Sequence, residues 1–215
     1  MTPVERFSSL PARRRDEILD KHRQFNTDHL NWWDSTYEDF KTDMDAIGID
    51  VDKIYFSGFW SQGDGACFEG RVSDWPKFLE SVGYTCAALT ALADAAWSFK
   101  VEHRGHYYHE NCTSFTSDMV NPNGYYEGAL EDFVDNYSPY STDIQNAAFV
   151  AILKGYDYSK LHDEFEEAFK GHMRKLYRSL EAEYDSQTSD EAVLEALHAN
   201  DMLTEIIDEL ESEHA

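Results

Sequence analysis

The sequence predicts an α+β fold: a small antiparallel sheet of about four strands in two hairpins, covered by helices, with a helical C-terminal half. Three observations point there. Residues 54–72, IYFSGFWSQGDGACFEGRV, hold two alternating runs around a glycine-rich turn. Residues 97–117 offer a second such pair around Arg104-Gly105. Most of the remaining chain carries apolar residues at helical spacing. With 215 residues and 42% hydrophobic content, the chain can bury a core. A single domain over 1–215 is expected, any split falling between 1–120 and 121–215.

The elements follow in order. Leu10-Pro11 and ARRRDEILDKHRQF predict a first helix, with proline tolerated in its first turn. Asn26-Thr27-Asp28 offers a break and a new N-cap. Trp33, Tyr37, Phe40, Met44 and Ile47 then form one apolar helical stripe, ended by Gly48. In the first hairpin Ile54, Phe56, Gly58 and Trp60 share one parity, and Tyr55, Ser57 and Phe59 the other. Ala66, Phe68, Gly70 and Val72 alternate with Cys67, Glu69 and Arg71. Gly63-Asp64-Gly65 supplies the turn, because glycine takes positive φ without steric cost. Gly58 and Gly70 mark bulges or places where another backbone or a ligand comes close.

Ser73-Asp74-Trp75-Pro76 starts a helix reaching Ala96, as one element or as two meeting near Gly83. Strands over 97–104 and 107–117 follow. After a loop at Asn121-Pro122-Asn123-Gly124, short helices are expected from Tyr125 to Asn136 and from Thr142 to Lys154. Leu161, Phe165, Ala168 or Phe169, His172, Leu176, Leu180 and Tyr184 mark a long amphipathic helix. Thr188-Ser189-Asp190-Glu191 has the capping-box form and opens a single last helix, apolar at Val193, Leu194, Leu197, Leu203, Ile206, Ile207 and Leu210.

Charge restricts the function classes. The chain has 42 acidic against 18 basic residues, a net charge of −24. Such a field repels nucleic acid and anionic membrane, and attracts basic partners. No apolar run is long enough to span a bilayer, and MTPVERFSSLPARRR has no apolar signal core, so a cytoplasmic protein is expected. Three cysteines, Cys67, Cys86 and Cys112, fit a reducing compartment. Cys86 stands in an apolar helical stretch and reads as a buried, inert thiol.

The residues offer little catalytic chemistry. His103, His106, His109 and Cys112, with Cys67, are zinc-binding types, but no C-x-x-C occurs and the spacing matches no standard site. No metal and no cofactor is therefore expected. Phosphate-loop, dinucleotide and nucleophile-elbow patterns are absent, and a non-enzymatic protein is expected. The basic stretch Lys170, His172, Arg174, Lys175 and Arg178 follows the acidic first half of its helix and complements the helix dipole. Direct nucleic-acid binding there would oppose the net charge.

Carboxylates four residues apart on a helix are about 6 Å apart along its axis, near the phosphate spacing of a nucleic-acid strand. Asp34/Glu38, Asp39/Asp43, Glu127/Glu131, Asp163/Glu167 and Glu191/Glu195 have this spacing and form the candidate partner-binding faces. Ordinary solvated helix faces carry such pairs too. An alternative ligand-binding set lies on the hairpins: Tyr55, Trp60, Gln62, Asp64, Glu69, His103 and His109.

The stretches NWWDSTYEDFKTDMDAIGI, IYFSGFWSQGDGACFEGRV, HYYHENCTSF and LEAEYDSQTSDEAVLEALHAND carry a resemblance. In them the chain resembles a diffuse family of small phage and prophage proteins labelled as antitoxins of toxin–antitoxin stability systems. The resemblance brings no catalytic residue. It implies a phage-borne accessory protein acting on a host or defence protein. Combined with the charge, the expectation is an inhibitor of a host nucleic-acid-binding defence protein, working by DNA or RNA mimicry. An antitoxin-like protein partner, or a small-ligand or nucleotide binder using the hairpin face, is the alternative.

Overall fold

The structure, a computed structural model, describes residues 1–28, 31–119 and 151–212. The fold is α+β, a four-stranded antiparallel sheet in the order β1-β2-β3-β4 with helices packed against it and a long helical C-terminal region. The strands are β1 Ile49–Phe56, β2 Ala66–Val72, β3 Phe99–His103 and β4 Thr113–Ser117. The helices that lie wholly within the described residues are α1 Pro3–Ser9, α2 Ala12–Lys21, α3 Asp34–Ala46, α4 Trp75–Ser81, α5 Ala87–Ala96, α6 Tyr158–Gln187, α7 Asp190–Ala199 and α8 Met202–Ser212. The helices expected from Tyr125 and Thr142, with Glu127 and Glu131, lie outside the described residues, apart from helical residues 151–154.

Two compact units make up the chain, one of Met1–Thr36 with Arg178–Ala215 and one of Tyr37–Tyr177. The second holds the sheet. Its core is aromatic because α6 repeats large residues every three or four positions: Leu161, Phe165, Phe169, Met173 and Leu176 are buried. Met173, rather than the expected His172, carries the stripe. Phe169 meets Phe68 of β2 at 5.7 Å, Phe78 of α4 at 5.7 Å, Phe99 of β3 at 5.4 Å and Phe115 of β4 at 6.0 Å. One side chain therefore ties three strands and a helix to α6.

The first hairpin differs from expectation at its ends. β1 begins at Ile49, directly after α3 and Gly48, and stops at Phe56. Gly48 takes φ +81, and its carbonyl accepts from the Ser73 and Asp74 N–H groups at 2.9 and 3.2 Å. A Cβ there would collide with the Asp74 carbonyl, so only glycine allows this crossing. Gly70 is a close approach, facing the Asp50 carbonyl. The bulge sits on β1, between Val51 and Lys53. Gly58 and Trp60 leave the strand altogether, both with positive φ.

The second hairpin is also shorter than its sequence pattern. β3 and β4 pair from Phe99↔Ser117 to His103↔Thr113, and residues 104–112 form a long connection ending in a 3₁₀ turn at Glu110–Cys112. Gly83 separates α4 from α5 with φ +89.

The other unit is helical. Phe7, Ile18, Leu19, Val193, Leu197, Leu203 and Ile207 make its core, joining α1 and α2 to α7 and α8. α1 starts on a capping box in which Thr2 Oγ1 accepts from Glu5 N–H and the Glu5 carboxylate accepts from Thr2 N–H. Ser189, not Thr188, caps α7, and its partner is the Ala192 N–H. The single last helix expected is two, α7 and α8, because the chain turns at Asn200 and at Asp201 with φ +60. The Arg23 guanidinium closes the α6–α7 corner by donating to the Thr188 carbonyl at 3.0 Å and to Asp190. No helix among the described residues is long and apolar enough to cross a membrane.

Candidate functional site

The carboxylate faces come first. Asp34, Glu38, Asp39, Asp43 and Asp45 are all exposed on α3, which has Lys41 as its one basic residue. Asp163 and Glu167 on α6, and Glu191 and Glu195 on α7, are exposed as well. Exposure follows from amphipathicity, since Phe40, Met44, Phe165, Val193 and Leu197 occupy the buried sides of the same helices.

In-chain cations answer part of this array. Glu38 pairs with Lys41 at 3.3 Å, Asp43 with Lys175 at 2.8 Å, and Glu167 with Arg174. Lys170 is likewise held by Glu166 at 3.3 Å. Lys170, Arg174 and Lys175 are thus engaged within the protein, and the basic stretch presents no continuous cationic surface. Among the described residues Asp34, Asp39, Asp45 and Asp163 enter no ion pair.

α3 breaks a rule of helix electrostatics. Its last turn contains Asp43 and Asp45 and no basic residue. Carboxylates there meet the negative end of the helix dipole, so they cost stability rather than add it.

The hairpin residues separate into two groups. Tyr55 stacks with His103 at 4.6 Å and with Tyr108 at 5.2 Å, and the Lys53 ammonium lies 4.3 Å from the Tyr55 ring centroid. The Glu69 carboxylate accepts from the His103 N–H at 3.3 Å, and His103 Nε2–H donates to the Tyr107 carbonyl at 3.1 Å. Tyr55, Glu69 and His103 are therefore brought together, but mainly by packing on each other under the 104–112 connection. Trp60, Gln62 and Asp64 belong to the β1–β2 connection. There the Asp64 carboxylate accepts from the Ser61 N–H at 2.7 Å. His109 caps the 3₁₀ turn, accepting from the Asn111 N–H at 3.2 Å, and its Nδ1 stands 3.2 Å from Glu110. Among the described residues no three His, Cys, Asp or Glu side chains gather as a metal site.

A model of one protein family, a domain of unknown function designated DUF8835, matches residues 32–190. The chain belongs to this family. The DUF8835 match spans α3, the whole sheet and α6, and so includes the α3 carboxylates, the aromatic cluster and both hairpin connections. α1, α2 and α8 fall outside it. No curated protein and no solved structure matches the chain.

Two cysteines differ in character. Burial, with smaller contributions from Cys112 and Glu69, pushes the Cys67 thiol up to about 12. Cys86 corrects the sequence reading, because it is partly exposed at the start of α5 and is not a buried thiol. Burial alone would raise its pKa. The Leu89 N–H, the Tyr156 hydroxyl and the Ala88 N–H together outweigh that and leave it below the ordinary value.

His172 sets a pH dependence. Burial, and secondarily Lys175, lowers its pKa, with Asp43 opposing. Above the ordinary histidine value of about 6.5 it is neutral folded and unfolded and contributes nothing. Below it the unfolded chain takes the proton first, so stability falls with pH down to the folded pKa. The drop in urea midpoint between about pH 7.5 and about pH 5.5 is expected to be smaller in His172→Gln than in the wild type. Equal drops would assign the acid sensitivity to other groups. Glu164 acts in the same direction: the Tyr84 hydroxyl, then Lys160, lowers its pKa against burial, and its contribution is lost as pH falls through the folded value.

Proposed function

We propose that this DUF8835 chain is a non-enzymatic, acidic phage-type accessory protein that binds and inhibits a host protein through that protein's basic nucleic-acid-binding surface. One observation carries the reading: five carboxylates stand exposed on α3, two of them in a last turn where they oppose the helix dipole. Asp43 is offset by its pair with Lys175, but among the described residues Asp45 enters no ion pair. A residue that breaks a local stability rule without a structural gain points to a function it serves. The spacing of Asp34/Glu38 and Asp39/Asp43 along α3, about 6 Å, suits a surface built to hold successive phosphates. The net charge of −24 would draw such a partner and speed encounter. The resemblance of the α3 and hairpin stretches to phage and prophage proteins agrees with a host or defence target.

The test is capture of partners from a bacterial lysate on the tagged chain, washed at low and then moderate salt. A nucleic-acid-binding protein released by moderate salt is the expected result, because exposed charge pairs are screened. A partner that stays bound would overturn the mimicry reading and favour an antitoxin-like interface with an apolar centre.

A further inference from the structure

The β1–β2 connection holds a conformational anomaly at Trp60, whose ring meets that of Phe59 at 5.4 Å. Trp60 adopts φ +68 and leaves 76% of its surface exposed. A bulky residue in the left-handed region is a backbone outlier, and such outliers persist only where the surroundings impose them. Here they do. Gly58 and Gly63 flank it with φ +90 and +93, and Asp64 bonds back to the Ser61 N–H at 2.7 Å. The Ser57 N–H donates to the Gly65 carbonyl at 3.2 Å, closing the base.

The neighbouring connection braces the turn from outside. Gly63 lies flat against the Tyr107 ring, where no Cβ would fit, and a Cβ on Gly65 would come within 2.9 Å of His109 Cα. Phe59, only 8% exposed, roots the tip by packing on Phe56 at 5.1 Å and Tyr177 at 5.4 Å. Tyr107 is itself 55% exposed, so both connections show an aromatic side chain at the same end of the sheet. A rigid, presented tryptophan has the character of an interface anchor.

We propose that Trp60 is a recognition residue that stacks on an arginine side chain of a basic protein partner. The connection itself, residues 57–65, contains Asp64 and no Lys, Arg or His, whereas the bracing connection carries Arg104, His106 and His109. The attraction for a cationic partner comes from the chain's net charge of −24. A planar guanidinium can both stack on indole and pair with carboxylates, whereas a lysine ammonium offers only a compact charge. This inference rests on the proposed function, and names the contact that adds side-chain selectivity to its electrostatics.

The experiment measures binding of fluorescein-labelled deca-arginine and deca-lysine peptides to the full chain at low salt, by anisotropy. The wild type is expected to prefer deca-arginine, and Trp60→Gly to reduce that preference by about two- to five-fold while deca-lysine binding persists. Because glycine accepts positive φ, the melting temperature of Trp60→Gly should be equal or higher. Trp60→Asn, which also tolerates this region, provides the second reading. A preference unchanged by either variant would overturn the proposal alone. Failure of the wild type to bind either peptide would overturn the acidic-surface reading with it. Melting temperatures lowered in both variants would make the indole a packing residue and overturn the proposal.

Discussion

Phe169→Ala is expected to destabilise the sheet-bearing unit by about 3–5 kcal/mol, the largest effect of any single truncation discussed for this chain. The reason is its position. Phe169 is fully buried and packs against four phenylalanine rings drawn from β2, α4, β3 and β4. Removing it takes away the transfer free energy of a phenyl ring and leaves a cavity bounded by rings whose own backbones are fixed in the sheet. Such walls collapse poorly, so the cost belongs at the upper end for a large-to-small change. Urea denaturation followed by near-ultraviolet circular dichroism would read the aromatic core directly. A loss below about 1 kcal/mol would mean that α6 is not the element that holds the sheet.

The second large effect concerns binding. Replacing Glu38, Asp39, Asp43 and Asp45 together by their amides is expected to weaken binding to the salt-released partner by about 100-fold. Four exposed charge contacts at roughly 0.5–1 kcal/mol each sum to that range. Stability should move the other way. Asp43 and Asp45 lie in the last turn of α3, where neutral side chains suit the helix dipole better, although Asp43 gives up its pair with Lys175. Asp34 is left in place because an acid in the first turn supports the helix. Isothermal titration with the captured partner, beside a thermal melt of the variant, separates the two effects. Affinity unchanged to within about threefold would sink the proposed role of α3.

Much of the candidate site was legible in the residues. The acid spacing along α3 is a property of local sequence, and the apolar stripe at Phe40 and Met44 already dictates which side of the helix faces water. The neutralising partners were not legible. Lys175 reaches Asp43 across 132 residues of chain, and Arg174 approaches Glu110, and only the packing of α6 in the sheet unit creates those pairs. The Trp60 conformation was hidden by its own pattern. Ile54, Phe56, Gly58 and Trp60 alternate as a strand would, yet Ser57 already turns to bond Gly65 and the strand ends at Phe56. The Thr2–Glu5 capping box was readable as Thr-x-x-Glu and marks a helix that apolar periodicity alone did not reveal.

The sequence by itself determined the α+β class, the antiparallel sheet with a glycine-bearing connection between its first two strands, the long amphipathic α6 and the acidic surface. Each follows from periodicity, turn chemistry or composition, which act over a few residues. The tertiary structure alone decided that Phe169 joins three strands to α4, and that α1 and α2 share a core with α7 and α8. It also decided that Tyr55, Glu69 and His103 converge while Trp60, Gln62 and Asp64 stand apart on their own connection. Those outcomes depend on register and on side-chain packing between segments distant in the chain. A local pattern reports which way a residue points, but not what it meets.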